Sequence, residues 1–368
     1  MNKDSLVEAL SGLCEQAMKD RVFSGCVLGV RWPDGSQNVH AFGHDDYVAT
    51  DGTGENREEV QPLSDRSIFD VASVTKSVPV STLVLHRILK GELSVETPVV
   101  ALLPEYRTNF RNDVQLRHLL THSLDYRFPM SSLKDLHPEE IWERLLTHAF
   151  SEAPGSSFSY GNAASLILGK ILARITGEDL ETLAQRELFG PLGMTDSTWR
   201  PLESKDWERI VPTEICTWRK RALRGDVHDE SAYTLSTQGP VGSAGIFSTV
   251  PDLLRFLHMM MNDGKVGDQQ IIPAGILALV TRNALSHLSG QGTALGWELA
   301  NRRFMGNVCS DRTFGKTGFT GSCLMGDPER NTGFVLLSNF TWPKREATVE
   351  RIYEVRRTIA DTLFSNCN

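Results

Sequence analysis

Ser73 and Lys76 are spaced so that their side chains could react together. They lie in the segment FDVASVTKSVPV, and residues three apart on a helix share a face and can touch. A lysine there could take the serine proton if burial or a second cation brought its pKa, ordinarily about 10.4, toward neutrality. The spacing alone is weak evidence, because Ser131 and Lys134 repeat it. The apolar residues on both sides of Ser73 favour that serine as a nucleophile.

Tyr160 and Asn162 form a second candidate pair, in the segment FSYGNAASLILGK. No other tyrosine of the chain is followed two places later by an asparagine. The pair could be functional, but Tyr160 could equally pack in the core, and Asn162 could cap the helix that follows. These two residues alone leave both interpretations open.

The segment TFGKTGFTGS contains a lysine that two unrelated kinds of site could use. Its Gly-Lys-Thr could close a phosphate-binding loop, which requires a glycine five places before Gly315 and a helix after the motif. Ser310 stands at that glycine position, and the residues after Thr317 have no helical period. The phosphate-loop interpretation is therefore disfavoured.

The three motifs gain weight from their order, S-x-x-K, then Y-x-N, then K-T-G. In this order they resemble the serine β-lactamase and penicillin-binding protein superfamily, in which S-x-x-K and K-T-G recur. Y-x-N in the middle is similar to the class C-like branch, with its esterases, D-aminopeptidases and D,D-peptidases. Other segments resemble that branch in the same order, among them LRHLLTHS, APGSSFSYGN, GDVHDESA, GSAGIFSTVPDLLRF and LGWEL.

The resemblance implies a catalytic role for three residues. Ser73 would attack a carbonyl and form an acyl-enzyme, while Lys76 and Tyr160 would share the work of general base and acid. Lys316 would place a second ammonium nearby, which we expect to lower the pKa of both lysines and to favour a tyrosinate.

The resemblance also implies a set of substrate-binding residues. Asn162 would hydrogen-bond Lys76 and the substrate amide, and the backbone amides of Ser73 and Phe319 would form an oxyanion hole. The predicted substrate-binding residues are Asn162, Lys316, Thr317, Gly318 and Phe319. No cofactor and no metal are expected.

The implied function is that of a serine hydrolase acting on small ester or amide substrates. It would be a carboxylesterase, a β-lactamase or a D-Ala-peptidase-like enzyme; the alternatives are an acyltransferase of the same fold or a penicillin-binding sensor module with little turnover. Lys316 and Thr317 favour a substrate that has a carboxylate, as β-lactams and D-Ala peptides do. The segment THSLDYRF departs from the His-Thr-Ser-Gly usual in relatives, so residues 125–128 are candidates for reshaping the pocket.

Two histidine-containing segments suggest other chemistry. His118 and His122 have the spacing of a zinc site, but HLLTH lacks the glutamate of H-E-x-x-H, which favours a packing or hydrogen-bonding role. Asp226, His228 and Asp229 in GDVHDESA could belong to a Ser-His-Asp triad. Because serine, lysine and tyrosine already form a complete set, we expect His228 to fix a loop instead.

Composition narrows the kinds of partner and compartment. The chain of 368 residues has a formal net charge of −8, which works against binding nucleic acid, whose affinity rests on Lys and Arg. The chain has no run of about 18 apolar residues, so no membrane span is predicted. The amphipathic first helix is unlike a secretory signal, so a cytoplasmic protein with reduced thiols at its six cysteines is expected.

Strand patterns near both ends and helical patterns between them predict an α+β fold of the β-lactamase/transpeptidase-like type. We expect an antiparallel sheet built from both termini and flanked by helices, with a mostly helical domain inserted. The sheet domain would comprise residues 1–72 and 281–368, the helical domain residues 73–280, and the active site would lie in the cleft between them. Pro79 should distort the helix slightly and leave the turn from Ser73 to Lys76 helical.

Overall fold

A computed structural model describes residues 2–47, 60–203, 207–288, 292–346 and 348–367. The polar, Gly-rich residues 45–66 predict a surface loop, most of which lies outside the described residues. The strands are β1 (Gly25–Arg31), β2 (Gln37–Gly43), β3 (Phe69–Asp70), β4 (Glu214–Cys216), β5 (Arg221–Leu223), β6 (Phe247–Ser248), β7 (Lys265–Val266), β8 (Gln269–Gln270), β9 (Thr293–Ala294), β10 (Trp297–Leu299), β11 (Phe314–Thr317), β12 (Cys323–Asp327) and β13 (Thr332–Ser338).

The helices lie mainly between β3 and β11 along the chain. They are α1 (Lys3–Lys19), α2 (Thr82–Leu89), α3 (Val99–Leu102), α4 (Leu116–Leu120), α5 (Pro138–Leu146), α6 (Ala163–Thr176), α7 (Leu180–Ala184), α8 (Gly190–Leu192), α9 (Glu230–Ser236), α10 (Val250–Met261), α11 (Ile276–Val280), α12 (Arg302–Met305) and α13 (Glu350–Asn366). None of the described helices is both long enough and apolar enough to cross a lipid bilayer.

Both ends of the chain contribute to one seven-stranded antiparallel sheet, in the order β2-β1-β13-β12-β11-β10-β9. The turn tripeptide Pro33-Asp34-Gly35 between two β-rich runs predicts a hairpin, which is confirmed, since Arg31 pairs with Gln37 across it. On its other side β1 pairs with β13, from Cys26 opposite Ser338 to Arg31 opposite Gly333. The predicted α+β fold, with a sheet assembled from both termini and flanked by helices, is confirmed.

Alternate residues of the central strands point to two different cores, as the two-residue period of a strand requires. Leu28 of β1 and Leu336 of β13 join the cluster formed with α1 and α13. Val27 and Leu337 face the opposite way and join the larger cluster, which includes α2, α6 and α10. The sheet therefore lies between a pair of terminal helices and the helical remainder of the chain.

Helix α10 packs directly on the sheet although it falls inside the range 73–280. A side chain at Gly29 of β1 would clash with Val250 and Leu254 of this helix, so the glycine allows the helix to approach closely. The range 73–280, predicted as the helical domain, thus contains a helix, α10, that packs on the sheet. The division into two domains itself stays a prediction.

The segment TALGWELANRRF, predicted as strand, is shorter and more broken than expected. Gly296 has a φ of 77° and separates β9 from β10. Asn301 then caps the short helix α12, its side chain accepting a hydrogen bond from the Arg303 amide. A turn glycine and a capping asparagine therefore overrode the strand propensity of this segment.

Candidate active site

Ser73 lies in a 3₁₀ turn, Ala72–Lys76, immediately after β3. The Lys76 Nζ donates hydrogen bonds to the Ser73 Oγ at 2.7 Å and to the Ser243 carbonyl oxygen at 2.7 Å. Lys76 is 1% exposed. The structure thus places the predicted nucleophile and base in direct contact, with a second bond that fixes the ammonium.

The distortion predicted near Pro79 is present. Ser77–Ser81 is a π turn in which Val78 has non-helical torsion angles, and regular helix begins only at Thr82. Proline cannot donate a backbone hydrogen bond, which accounts for the break. The turn from Ser73 to Lys76 is helical, although of the 3₁₀ type.

Buried Asp70 ties the nucleophile turn to two other parts of the chain. Its side chain accepts hydrogen bonds from the backbone amides of Ala72, at 2.7 Å, and His228, at 2.8 Å. Its backbone carbonyl accepts a bond of 2.6 Å from the Thr320 hydroxyl, just after the K-T-G motif. Asp70 therefore links the turn of Ser73 to the His228 loop through its side chain and to the sheet edge through its backbone carbonyl.

Tyr160 lies in the loop before α6 and faces both Lys76 and Lys316. The loop is anchored where the Ser159 amide donates to the His122 carbonyl, at 2.8 Å. The Nζ atoms of Lys316 and Lys76 lie 4.2 Å and 5.6 Å from the centre of the Tyr160 ring. The tyrosine is 46% exposed, so it is reachable from the cleft.

The charges in this cluster shift three pKa values. Burial lowers the pKa of Lys76, and the Lys316 ammonium adds to that effect. Burial opposes ionisation of Tyr160, but the charges of Lys316 and Lys76 outweigh it and lower the pKa of the phenol. The expectation for Lys316 was wrong: burial opposes its charge, yet Tyr160 and Glu298 prevail and raise its pKa.

Glu298 is a residue of this cluster that sequence reasoning missed. It lies on β10 opposite Gly315 of β11, and its Oε1 accepts a bond of 3.1 Å from the Lys316 Nζ. Asn301 donates to its other oxygen at 2.8 Å. The sequence offered two separate strand-like segments, LGWEL and FGKT. Neither segment reveals that the two strands are neighbours, so the contact between Glu298 and Lys316 could not be predicted.

Asn162 does not make the contact with Lys76 that was predicted. Its Nδ2 donates to the Asp229 carboxylate at 2.8 Å and to the Ser231 hydroxyl at 3.2 Å. It occupies the first position before α6, and its side chain makes no capping bond. The Asp229 carboxylate accepts from the Nδ2 of the amide, whereas the predicted bond from the Lys76 ammonium would have used the Asn162 Oδ1 as its acceptor.

A cavity of about 300 Å³ lies beside the nucleophile. Its wall includes Ser73, Tyr160, Thr317, Gly318 and Phe319. Lys316 and Asn162 are not among its lining residues. The oxyanion hole between the amides of Ser73 and Phe319 stays a prediction, and both residues border the same space.

The K-T-G segment is strand, which excludes the phosphate-loop interpretation. Lys316 and Thr317 are paired with Leu324 and Cys323 of the adjacent strand, and a turn leads from one strand to the other. A phosphate-binding loop would instead lead into the amino terminus of a helix.

The family of the chain follows from a match over most of its length. Residues 10–356 match the family model named Beta-lactamase. The chain belongs to the beta-lactamase family. Members of this family share a serine-hydrolase and acyltransferase fold, and the cluster of Ser73, Lys76, Tyr160 and Lys316 lies within the matched range.

Similarity to individual members of the family is moderate. The chain is 26% identical over 303 residues to an Escherichia coli K12 protein named "Putative D-alanyl-D-alanine carboxypeptidase", covering 74% of this chain and 69% of the relative. It resembles the solved structure of "EstCE1, a hydrolase with promiscuous acyltransferase activity" with a TM-score of 0.75, 21% identity and coverage of 98% and 99%. A penicillin-binding protein homologue from Caulobacter crescentus gives a TM-score of 0.76, 17% identity and coverage of 98% and 97%.

In this family member His228 bonds to a glutamate. Its Nε2 lies 2.8 Å from Glu214, whose carboxylate also pairs with Arg345 at 2.6 Å. Burial opposes the charge of Glu214, but hydrogen bonds from His228 and Arg345 outweigh it and lower its pKa to about 2. The His228 ring also stacks on Phe319, with centroids 5.7 Å apart. These contacts support a loop-fixing role for His228.

The predicted structural role of the other histidine pair has similar support. The His118 Nδ1 accepts a bond from the Gln115 amide at the start of α4. The His122 ring lies 4.9 Å from that of Tyr160, and burial, with the charges of Lys316 and Lys76, holds its pKa well below the usual value. Among the described residues no group of His, Cys, Asp or Glu could hold a metal ion.

The unusual residues 125–128 do not border the cavity beside Ser73. Asp125 is buried and accepts bonds from the amide and hydroxyl of Ser151. The Tyr126 hydroxyl contacts that of Tyr106 and donates to the Leu145 carbonyl. The departure from the usual family segment therefore braces the helical layer, and the prediction that it reshapes this cavity receives no support.

Proposed function

We propose that this protein is a serine hydrolase that forms an acyl-enzyme at Ser73 on small ester or amide substrates. The observation that supports this most directly is the 2.7 Å contact between the Lys76 Nζ and the Ser73 Oγ. The lowered pKa of Lys76 makes its neutral, proton-accepting form more accessible. A buried lysine beside a serine is costly to maintain without a chemical role.

The reaction begins when the Ser73 Oγ attacks the substrate carbonyl carbon. Lys76, coupled to Tyr160, takes the hydroxyl proton, and the carbonyl oxygen becomes an oxyanion facing the amides of Ser73 and Phe319. As the intermediate collapses, the bond to the leaving group breaks and the leaving group takes the proton back through Tyr160. Water then attacks the ester at Ser73 while Lys76 and Tyr160 take one of its protons; the bond between the acyl carbon and the Ser73 Oγ breaks, the Oγ receives that proton, and the acid is released.

Acyl transfer to an alcohol is the second candidate function. Tyr160 and Phe319 are 46% and 41% exposed, so an acceptor larger than water could approach the acyl-enzyme. The similarity to EstCE1, described as a hydrolase with promiscuous acyltransferase activity, agrees with this proposal. The two functions share every step up to the acyl-enzyme and differ only in what attacks it.

Intact-protein mass spectrometry tests the proposal. Wild type and Ser73→Ala would be mixed briefly with p-nitrophenyl butyrate and, separately, with a β-lactam. We expect wild type to gain the mass of the acyl group and then lose it, while Ser73→Ala gains nothing. Adding a primary alcohol should speed loss of the adduct and yield the new ester if acyl transfer occurs.

Two results would contradict the hydrolase proposal. A wild-type adduct that persists without turnover would indicate the sensor module. The absence of both adduct and turnover across a panel of esters and β-lactams, with folded protein verified by circular dichroism, would remove the enzyme proposal altogether.

A further inference from the structure

The ammonium of Lys316 is already paired inside the protein. Its Nζ lies 3.1 Å from the Glu298 Oε1, and the two side chains are 3% and 14% exposed. Opposite charges attract more strongly when water is excluded, and separating a buried pair leaves an uncompensated charge behind. A substrate carboxylate would have to compete with Glu298 for this lysine.

The two arginines on the cavity wall are engaged as well. Arg345 pairs with Glu214 at 2.6 Å and with Glu230 at 3.0 Å. Arg356 is 1% exposed, and its Nη2 donates to the backbone carbonyls of Gly318 and Ser322, each at 2.9 Å. The charge of Arg345 is therefore compensated by two carboxylates, while that of Arg356 is buried with its Nη2 held by two carbonyl oxygens.

The remaining wall suits an uncharged group. Apolar or aromatic side chains line one part of the cavity, those of Ala244, Phe319, Val349, Ile352 and Tyr353. The carboxylate of Asp229 also borders it and would repel a substrate anion, whereas that of Glu230 is paired with Arg345. A cavity of about 300 Å³ is at the small end of ligand sites, which favours a short acyl group.

We infer that Glu298, by neutralising Lys316, makes the site select uncharged short-chain acyl groups over acyl groups that have a carboxylate. Glu298 acts through Lys316 and touches no reacting atom, so it is a specificity-determining residue and not a catalytic one. The inference rests on the proposed function, and it reverses the expectation, drawn from the K-T-G motif, of an anionic substrate.

A pair of activated esters tests this inference. p-Nitrophenyl butyrate and mono-p-nitrophenyl succinate share the leaving group and the length of the acyl chain, and only the second has a terminal carboxylate. For wild type we expect kcat/KM to be at least about tenfold higher with the butyrate. Rates with Ser73→Ala are subtracted, because the succinate carboxylate assists its own hydrolysis.

Glu298→Gln removes the charge and keeps the shape of the side chain. The Lys316 ammonium is then uncompensated, so we expect the succinate-to-butyrate ratio of kcat/KM to rise at least about fivefold. Glu105→Gln is the matched control, since it removes one carboxylate from an exposed pair with Arg174. The ratio should be unchanged in this control, which a general effect of net charge would not allow.

The outcomes separate this inference from the function on which it rests. Ser73-dependent hydrolysis with an unchanged ratio in folded Glu298→Gln would overturn the inference and leave the hydrolase proposal intact. The absence of Ser73-dependent hydrolysis of either ester would overturn both. If Glu298→Gln fails to fold, the wild-type comparison still decides, because equal wild-type rates with the two esters contradict the inference without any variant.

Discussion

Lys76 and Lys316 are both buried near one phenol, yet their surroundings drive their pKa values in opposite directions. Lys76 has hydrogen bonds to a hydroxyl and a carbonyl, and burial lowers its pKa. Lys316 has Glu298 and Tyr160 beside it, and its pKa is raised. One lysine is thereby suited to accepting a proton and the other to stabilising negative charge on the tyrosine.

The pH dependence of Tyr160→Phe tests this division of labour. Deprotonated base is needed, so wild-type kcat/KM should rise with pH and level off below the ordinary tyrosine pKa of about 10. Tyr160 raises the pKa of Lys76, so removing the phenol should lower it further. We expect activity to fall about 10²-fold or more, and the residual activity to rise at lower pH than in wild type.

The measurement is kcat/KM for p-nitrophenyl butyrate from about pH 5 to pH 10, with Ser73→Ala as the blank. Tyr47→Phe removes a hydroxyl that contacts the Arg21 carbonyl, away from the cavity, and serves as the control with an unchanged profile. An inflection that stays in place or moves to higher pH in Tyr160→Phe would refute the coupling between the tyrosine and Lys76.

At this scale the sequence was sufficient for contacts between near neighbours and insufficient for distant ones. The contact of Ser73 with Lys76 follows from a spacing of three residues in a helical turn. The pairing of Lys316 with Glu298 depends on which strands are adjacent, and the bond from Asn162 to Asp229 depends on how two loops meet. Hydrogen-bonding partners across such distances depend on the assembled fold.

At the scale of elements, α6 helps to position Lys76, because the backbone at Gly242 packs directly against this helix. A side chain at Gly242 would collide with the Ser165 carbonyl of α6. The next residue, Ser243, supplies the carbonyl that accepts the Lys76 bond. Close packing of a glycine on a helix therefore sets one of the two hydrogen bonds that fix the Lys76 ammonium.

Gly242→Ala should disturb this contact. Because the new methyl group meets rigid helical backbone, we expect the free energy of unfolding to fall by about 2 kcal/mol and kcat/KM to fall about tenfold or more. Urea denaturation and ester hydrolysis measure the two effects.

Gly12→Ala is the control, and it should raise the free energy of unfolding instead of lowering it. Gly12 lies inside α1 with open space around it, and alanine there should stabilise the protein by about 0.5–1 kcal/mol without changing activity. Equal effects of the two alanines would rule out the proposed contact as the cause.

The elements of regular pattern were predictable, and the irregular ones were not. The β1–β2 hairpin and α13 follow from their residue patterns. The stretch from β9 to α12 did not follow, because Gly296 and Asn301 redirect a chain whose propensity is for strand. In that stretch the turn-forming glycine and the capping asparagine outweighed the average preference of the residues for strand.

At the scale of the whole molecule, the last helix supports the active-site edge of the sheet. Arg356 of α13 donates to the carbonyls of Gly318 and Ser322, which lie at either end of the turn between β11 and β12. The same helix packs with α1 over one face of the sheet. Helix α13 is thus a structural part of the site although most of it lies behind the sheet.

Arg356→Met tests that support. Losing two hydrogen bonds from a charged donor should lower the free energy of unfolding by about 2 kcal/mol, and the loosened turn should lower kcat/KM about tenfold. Arg357→Met, a neighbouring position without a buried side chain, is the control and should change neither quantity. Similar losses in both variants would show that helix charge, and not the bonds from Arg356, is responsible.

The overall architecture could be predicted from the sequence, because both terminal regions show strand patterns and strands need hydrogen-bonding partners. The position of α10 was not, because a helix in the middle of the chain gives no sign of which layer it joins. Gly29 of β1 and Leu254 of α10 meet only in the assembled sheet.

The pairing of β1 with β13 has a consequence for synthesis on the ribosome. Ser73 and Lys76 emerge early, but the strand bearing Lys316 and the last strand of the sheet emerge near the end. The central strand pair cannot close before then, and such long-range contacts form slowly. The nascent chain should therefore contain Ser73 and Lys76 well before Lys316 and β13 can join them in a folded site.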